Sequence, residues 1–224
     1  MKLKLSWWKQ NWVRVLWAVL GLLALLFLVR VIMWEHDYYA GKEGSTRAAA
    51  PIIGGVDETE VTDVDKSVYT VAPDRPRFLS IERLGIKNAR VLGLGVNKQG
   101  EFDTPANIFD VAWFTQSGKP GAGGTLLIDG HNGGPTKNGV FKHLPDLVKD
   151  DLVVIERGDG KIFKYKVVDT KTISLSQANE YMRIAQTTPE KGKESLTLIS
   201  CTGQWSQSQQ TYLSRQFVRA VLVD

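Results

Sequence analysis

The sequence predicts a mainly β domain, closed as a barrel or sandwich, preceded by one N-terminal membrane-spanning helix. Three observations carry this. Short apolar runs with period-2 stretches alternate with turn signals from about residue 77 onward, the pattern of half-buried strands. Helical patterns are few over the same region. One uninterrupted apolar run, Val15–Val29, lies near the N-terminus. A length of 224 residues leaves room for one domain of ordinary size plus a tail.

The apolar run carries no charge and no proline. Arg30 interrupts it, and Val31, Ile32, Met33 and Trp34 continue it. With Arg30 snorkelling to the interface, Val15–Trp34 matches the ~20 residues that a spanning helix needs. Trp12, Trp17, Trp34, Tyr38 and Tyr39 suit the membrane interface. Lys2, Lys4, Lys9 and Arg14 precede the run, and Glu35 and Asp37 follow it. The positive-inside rule then puts the N-terminus in the cytoplasm and the rest of the chain outside. A cleaved signal peptide is the rival. No small-x-small site follows the run directly, and Ala48–Ala50 lies too far on. A buried core helix is the other rival, and it suits poorly a terminal segment that is apolar on every face.

Net charge is +4, and the cations before the apolar run account for it. No basic stripe persists without them, so nucleic-acid binding is not expected. The organisation expected is 1–36 for the cytoplasmic N-terminus and transmembrane signal-anchor, 37–76 for an extracellular linker, and 77–224 for the β-rich domain. The linker from Gly41 to Pro76 has little periodicity. It holds Gly54-Gly55, an Ala run and an acidic stretch of Asp57, Glu58, Glu60, Asp63 and Asp65. If flexible, it would reach roughly 30–35 Å.

Within the domain the candidate strands are Phe78–Glu82, Arg90–Leu94, Gly124–Ile128, Leu152–Glu156, Ile162–Asp169, Ser195–Ser200 and Gln216–Val223. Phe163, Tyr165 and Val167 illustrate the alternation. Asp159-Gly160 reads as a hairpin turn. Ser176–Gln186 is the best helical segment, and Phe141–Leu147 suits a single turn.

Cys201 is the only cysteine, expected outside the cytoplasm, where structural cysteines are normally paired. A reactive thiol and an inert buried one are the two readings. Ser195–Ser200 is a strong strand, and Cys201-Thr202-Gly203 reads as its end, which exposes the thiol at a rim. A thiolate needs a cationic or basic partner. Of three histidines, His36 flanks the membrane segment and His143 suits an exposed turn. His131 follows the strand Thr125–Ile128 and is framed by Gly130 and by Asn132-Gly133-Gly134, which leave a ring open at a strand end. Arg215, expected at the start of the last strand, offers a charged fork for an oxyanion or substrate carbonyl. Arg219 has the same side parity, so alternation does not separate the two. Distance along the strand favours Arg215.

At these residues the chain resembles the sortases, over roughly Arg77 to Asp224. Four pieces carry the likeness: Gly124-Thr-Leu-Leu-Ile-Asp-Gly-His131; Val140-Phe-Lys-His-Leu144 with Leu147 and Asp151; Thr197-Leu-Ile-Ser-Cys201; and Arg215-Gln-Phe-Val-Arg-Ala-Val-Leu222. The order His, Cys, Arg agrees. Ser200 stands where the family usually has Thr. Trp113-Phe114 with Lys119-Pro120-Gly121 is most similar to class D, E and F members. The resemblance implies a closed barrel of about eight strands with short helices, on which His131, Cys201 and Arg215 converge. It implies a cysteine transpeptidase that cleaves an LPxTG-like sorting signal through a thioacyl intermediate. The acceptor would be an amine of a cell-wall precursor or a pilin lysine. Partners are then surface proteins bearing that signal, the amine acceptor and the lipid bilayer. No acidic cluster matches the calcium sites of some sortases, so no cofactor or metal is expected. An L,D-transpeptidase resembles Ser-His-Gly-Cys-x-Arg, which is not met around Cys201. A cysteine protease without transfer and a tethered β-barrel binding module are the remaining rivals.

Overall fold

The computed structural model describes residues 17, 20, 22–25, 27–30, 55–96 and 102–223. Eight strands form: β1 Pro76–Ile81, β2 Ile86–Leu94, β3 Val111–Phe114, β4 Thr125–Gly130, β5 Leu152–Arg157, β6 Ile162–Ser174, β7 Ser195–Ser206 and β8 Thr211–Leu222. They close into a barrel in the order β1-β2-β3-β4-β7-β8-β6-β5, with β5 pairing back to β1. The pairs β2–β3 and β4–β7 are parallel, and the others are antiparallel.

Alternation dictates which side chains fill the barrel. Val91, Val111, Trp113, Leu126, Ile128, Val153, Ile155, Tyr165, Val167, Leu196, Leu198, Val218 and Ala220 point inward and form one buried core. Phe141, Leu144 and Leu147 join it from the segment after β4. Leu144–Asp146 is a single 3-10 turn there.

Three of the differences from the sequence expectation bear on the site. β3 was not among the expected strands: its four residues are a continuous apolar run whose Val111, Ala112 and Trp113 are all buried, so no alternation marks them. β7 does not end at Cys201. It continues to Ser206 because Gly203, at φ +82, absorbs a register shift between Thr202 and Trp205. A glycine supplies that left-handed conformation without strain. β8 accordingly begins at Thr211, so Arg215 lies within the strand and not at its start.

Two helices accompany the barrel. α1, Asp63–Val68, begins with a capping box in which Thr62 and Asp65 bond each other's backbone N–H. It belongs to the expected linker, part of which packs on the barrel. Tyr69 donates to the Val91 carbonyl at 2.6 Å. Arg77 returns a bond to the Tyr69 carbonyl at 2.9 Å. α2, Leu175–Ala185, buries Ala178, Tyr181 and Ala185, a helical stripe. That stripe packs on the outer face of the sheet against Ile199 and Phe217. Arg219 donates from Nη2 to the carbonyls of Ile184 and Thr187 and so satisfies the open C-terminal end of α2.

Half of the expected membrane segment Val15–Trp34 lies outside the described residues. Residues 22–25 and 27–30 are helical and exposed. No helix among the described residues is long and apolar enough to cross a membrane.

Candidate active site

The outer face of β4, β7 and β8 carries three rows of side chains. β7 and β8 pair Thr197 with Arg219, Ile199 with Phe217, and Cys201 with Arg215. β4 lies parallel on the other side of β7, with Leu127 beside Thr197 and Asp129 beside Ile199. Residues two apart share a face, so Cys201 and Arg215 follow Ile199 and Phe217 on the outer face. His131 comes directly after β4, one residue past Gly130, whose carbonyl is bonded to Ser200 of β7. All three are half-buried.

The lower rows are closed by α2. Arg219 is 8% exposed and engaged with α2 carbonyls. Thr197 donates to the Ala185 carbonyl at 2.8 Å. Arg219 therefore serves the helix, while Arg215 faces the thiol. This separates two arginines that alternation had left equal. His143 is exposed and bonded to Asp146 at 3.1 Å, as the sequence led one to expect. His36 lies outside the described residues.

His131 is held from several sides. Its Nε2 lies 2.7 Å from the Pro105 carbonyl. A carbonyl only accepts, so Nε2 carries the hydrogen and Nδ1 of the neutral ring is left to exchange a proton. The His131 carbonyl accepts from Phe141 N at 2.9 Å. Gly139 crosses so closely that a Cβ there would lie 2.3 Å from the His131 carbonyl oxygen. Ser200 faces the barrel interior, and its hydroxyl donates to the Gly130 carbonyl at 2.8 Å. That bond ties β7 to β4 directly beside Cys201.

Arg215 donates from Nη1 to the Tyr212 and Ser214 carbonyls and from Nη2 to the Thr211 hydroxyl. Three of its five donors are thereby used, and two remain for a substrate oxygen. Burial pushes the Cys201 thiol above its usual value; the Arg215 charge opposes this and the Asp129 carboxylate adds to it. Such a thiol rests protonated at neutral pH and needs a base at the moment of attack.

Asp129 did not figure among the candidate residues. Burial pushes its carboxyl up to about 6, against the opposing charges of His131 and Arg215. The signal was present in Leu127-Ile128-Asp129-Gly130-His131: counting back two from the histidine on a strand leads to the same face. A shallow cleft opens beside it, lined among others by Ala112, Phe114, Leu127 and Ile199. Among the described residues no group of acidic, histidine and cysteine side chains is arranged to hold a metal ion.

A family model for the Sortase domain matches residues 79–223. Among solved structures, sortase A from Corynebacterium diphtheriae is 19% identical with a TM-score of 0.50, covering 88% of this chain and 85% of that one. Sortase C1 from Streptococcus agalactiae is 19% identical with a TM-score of 0.50, covering 73% and 77%. A sortase D5 transpeptidase from Clostridium perfringens is 19% identical with a TM-score of 0.47, covering 73% and 89%. No curated protein matches. At such identities the two structures with a TM-score of 0.50 speak for the fold alone, a mainly β closed barrel.

Proposed function

The chain belongs to the sortase family of cysteine transpeptidases, and on that footing we propose that it is anchored in the cell membrane by its N-terminal segment and cleaves an LPxTG-like sorting signal on surface proteins. The observation that supports the site assignment is the cross-strand pairing of Cys201 with Arg215, with His131 directly after β4, the parallel neighbour of β7.

Each residue has a distinct task in this reading. Cys201 Sγ attacks the scissile carbonyl carbon while His131 Nδ1 takes the thiol proton. The two free donors of Arg215 face the oxyanion that forms. As the C–N bond breaks, His131 returns the proton to the leaving amine and a thioester remains on Cys201. An amine of a cell-wall precursor or a pilin lysine then attacks the thioester. It gives a proton to His131, the C–S bond breaks, and the proton returns to sulfur.

The anchor reading rests on the charge asymmetry and apolar length around Val15–Trp34. It places the barrel outside the cell and the N-terminus in the cytoplasm.

The test uses the full chain in detergent with a panel of LPxTG-like peptides, with and without an amine acceptor. Mass spectrometry follows the adduct and the transfer product. An adduct on Cys201, absent in Cys201→Ala, with amine-dependent product is the expected result. An adduct that is only hydrolysed, whatever the amine, would leave a cysteine protease. No adduct on a thiol that still alkylates would sink the sorting-signal substrate.

A further inference from the structure

The ring of His131 is held by a carbonyl that lies in no strand. Its Nε2 donates to Pro105, in the stretch between β2 and β3. Residues 106–108 of that stretch are fixed by Asp57, from the segment expected to be a linker. Asp57 and Asn107 form an isolated parallel bridge. Asp57 N donates to the Ala106 carbonyl at 2.7 Å, and Ile108 N donates to the Asp57 carbonyl at 2.9 Å. Asn107, only 9% exposed, adds its side chain. Its Nδ2 donates to Asp57 Oδ2 and to the Thr59 carbonyl, while its Oδ1 accepts from Phe109 N.

The next residue, Glu58, holds the chain on the other side of the histidine. Residues 131–139 make a tight turn, in which Gly134 N donates to the Lys137 carbonyl and Gly139 N to the Asn132 carbonyl. The Glu58 carboxylate caps its tip. Oε1 accepts from Thr136 N at 2.8 Å and from Lys137 N at 3.0 Å, and Oε2 accepts from the Thr136 hydroxyl. Lys137 Nζ returns a bond to the Glu58 carbonyl at 3.2 Å. A Cβ on Gly134 would lie 2.3 Å from Glu58 Oε1, so a glycine there makes room for the carboxylate. Val140 N donates to the Ile108 carbonyl at 2.9 Å and joins the two held stretches. Hydrogen bonds to an ionised carboxylate are stronger than neutral ones, and a turn outside the sheet has no ladder to fix it otherwise.

We propose that Asp57 and Glu58 are positioning residues for His131. Asp57 fixes the stretch whose Pro105 carbonyl takes the Nε2 hydrogen, and Glu58 fixes the turn that follows the ring. Together they keep Nδ1 as the nitrogen that exchanges a proton. Neither residue touches the substrate. The segment expected as a spacer thus completes the site from outside the barrel. The kinetic consequence rests on the proposed transpeptidase reading, and the state of the ring does not.

The test compares the full chain in detergent with Glu58→Ala, the double variant Asp57→Ala/Glu58→Ala, Glu58→Gln and Thr62→Ala. Thr62→Ala removes the α1 capping box in the same segment and leaves both clamps. Thermal midpoints are recorded for all. Labelling with 15N-histidine on a His36→Gln/His143→Gln background leaves His131 as the one labelled ring. Its two nitrogen shifts, taken at alkaline pH where the ring is neutral, read the tautomer.

The wild-type ring is expected to carry its hydrogen on Nε2. The alanine variants move it towards a mixture of tautomers and lower kcat with an LPxTG-like peptide by up to about 10²-fold, the cost of a small misplacement, with KM little changed. Glu58→Gln keeps an oxygen for the two backbone N–H groups and recovers most of the loss. Thr62→Ala lowers the midpoint and moves neither readout. Ring shifts in the double variant equal to wild type, or moved as far by Thr62→Ala, overturn the positioning role. Unchanged kcat in an enzyme that turns over does the same. If the double variant does not fold, Glu58→Ala against Glu58→Gln makes the same comparison. Failure of every peptide to acylate Cys201 would refute the proposed function and leave the ring shifts to decide this one.

Discussion

Cys201 of β7 and Arg215 of β8 are direct cross-strand partners on the outer face of the barrel. The pairing is made by the backbone ladder, so the thiol and the guanidinium keep their relation without any bond between the side chains. Chemistry at this site accordingly depends on strand register as much as on residue identity.

Arg215→Ala is expected to lower kcat by about 10²–10³-fold, the usual loss when an oxyanion donor is removed. Arg215→Lys restores charge without the planar fork and recovers only part of it. Arg219→Met behaves differently. It leaves α2 carbonyls unsatisfied and lowers stability by about 1.5–3 kcal/mol, the range for hydrogen bonds to a charged group. Steady-state kinetics beside thermal unfolding of each variant separates the two roles. Loss of kcat in Arg219→Met at full fold, with Arg215→Ala active, would reverse the assignment.

The pH at which Cys201 becomes nucleophilic is set by burial first, with Arg215 and Asp129 acting in opposite senses. Asp129→Asn removes a negative charge, so the iodoacetamide rate profile moves to lower pH. Arg215→Met removes a positive charge and moves it to higher pH. Stopped-time labelling across pH 5–10 reads both shifts. Movement of both variants in one direction contradicts this electrostatic account.

Asp129 also carries a stability signature. Its folded carboxyl is raised to about 6 from the ordinary 3.8 of a free aspartate. A carboxyl raised on folding favours the folded state while protonated. That contribution is fully present below the unfolded value and is lost as pH rises through about 6. Asp129→Asn, neutral at every pH, therefore matches wild type below about pH 4 and exceeds it above pH 6, by at most about 3 kcal/mol. Denaturant unfolding at both ends of the window tests this. A variant less stable than wild type at neutral pH would show that the carboxylate is compensated.

Ser200→Ala removes the side-chain bond from the interior of β7 to the Gly130 carbonyl. The residue is fully buried, so a loss of about 1–2 kcal/mol is expected. Because Gly130 precedes His131, kcat falls as well. Unchanged kcat would mean that the hydroxyl only holds the barrel together.

Much of the fold was legible because β residues advertise a face. Leu126, Ile128, Leu196, Leu198, Val218 and Ala220 alternate in the chain and fill the core in the structure. β3 was not legible, since Val111, Ala112 and Trp113 are all buried and leave no period. The strand ends misled at Gly203 and Arg215, because a glycine can end a strand or absorb a register shift, and only the partner strand decides which. His131, Cys201 and Arg215 were legible as residue types beside strands and turns. Asp129 was passed over because an acid next to Gly-His carries no meaning until the face it occupies is known.

The sequence by itself determined that this is a β-rich domain with one thiol, a histidine framed by glycines and an arginine in the closing strand. Those properties are local: they follow from side-chain period, turn chemistry and count. Only the tertiary structure decided that Cys201 and Arg215 are cross-strand partners, that Arg219 belongs to α2 and that Asp129 lies beside Ile199, one step from Cys201. Those relations join elements that are apart in the chain, β4 with β7, β7 with β8, and β8 with α2. They are set by which strands pair and in what register, which hydrogen bonding between distant segments dictates.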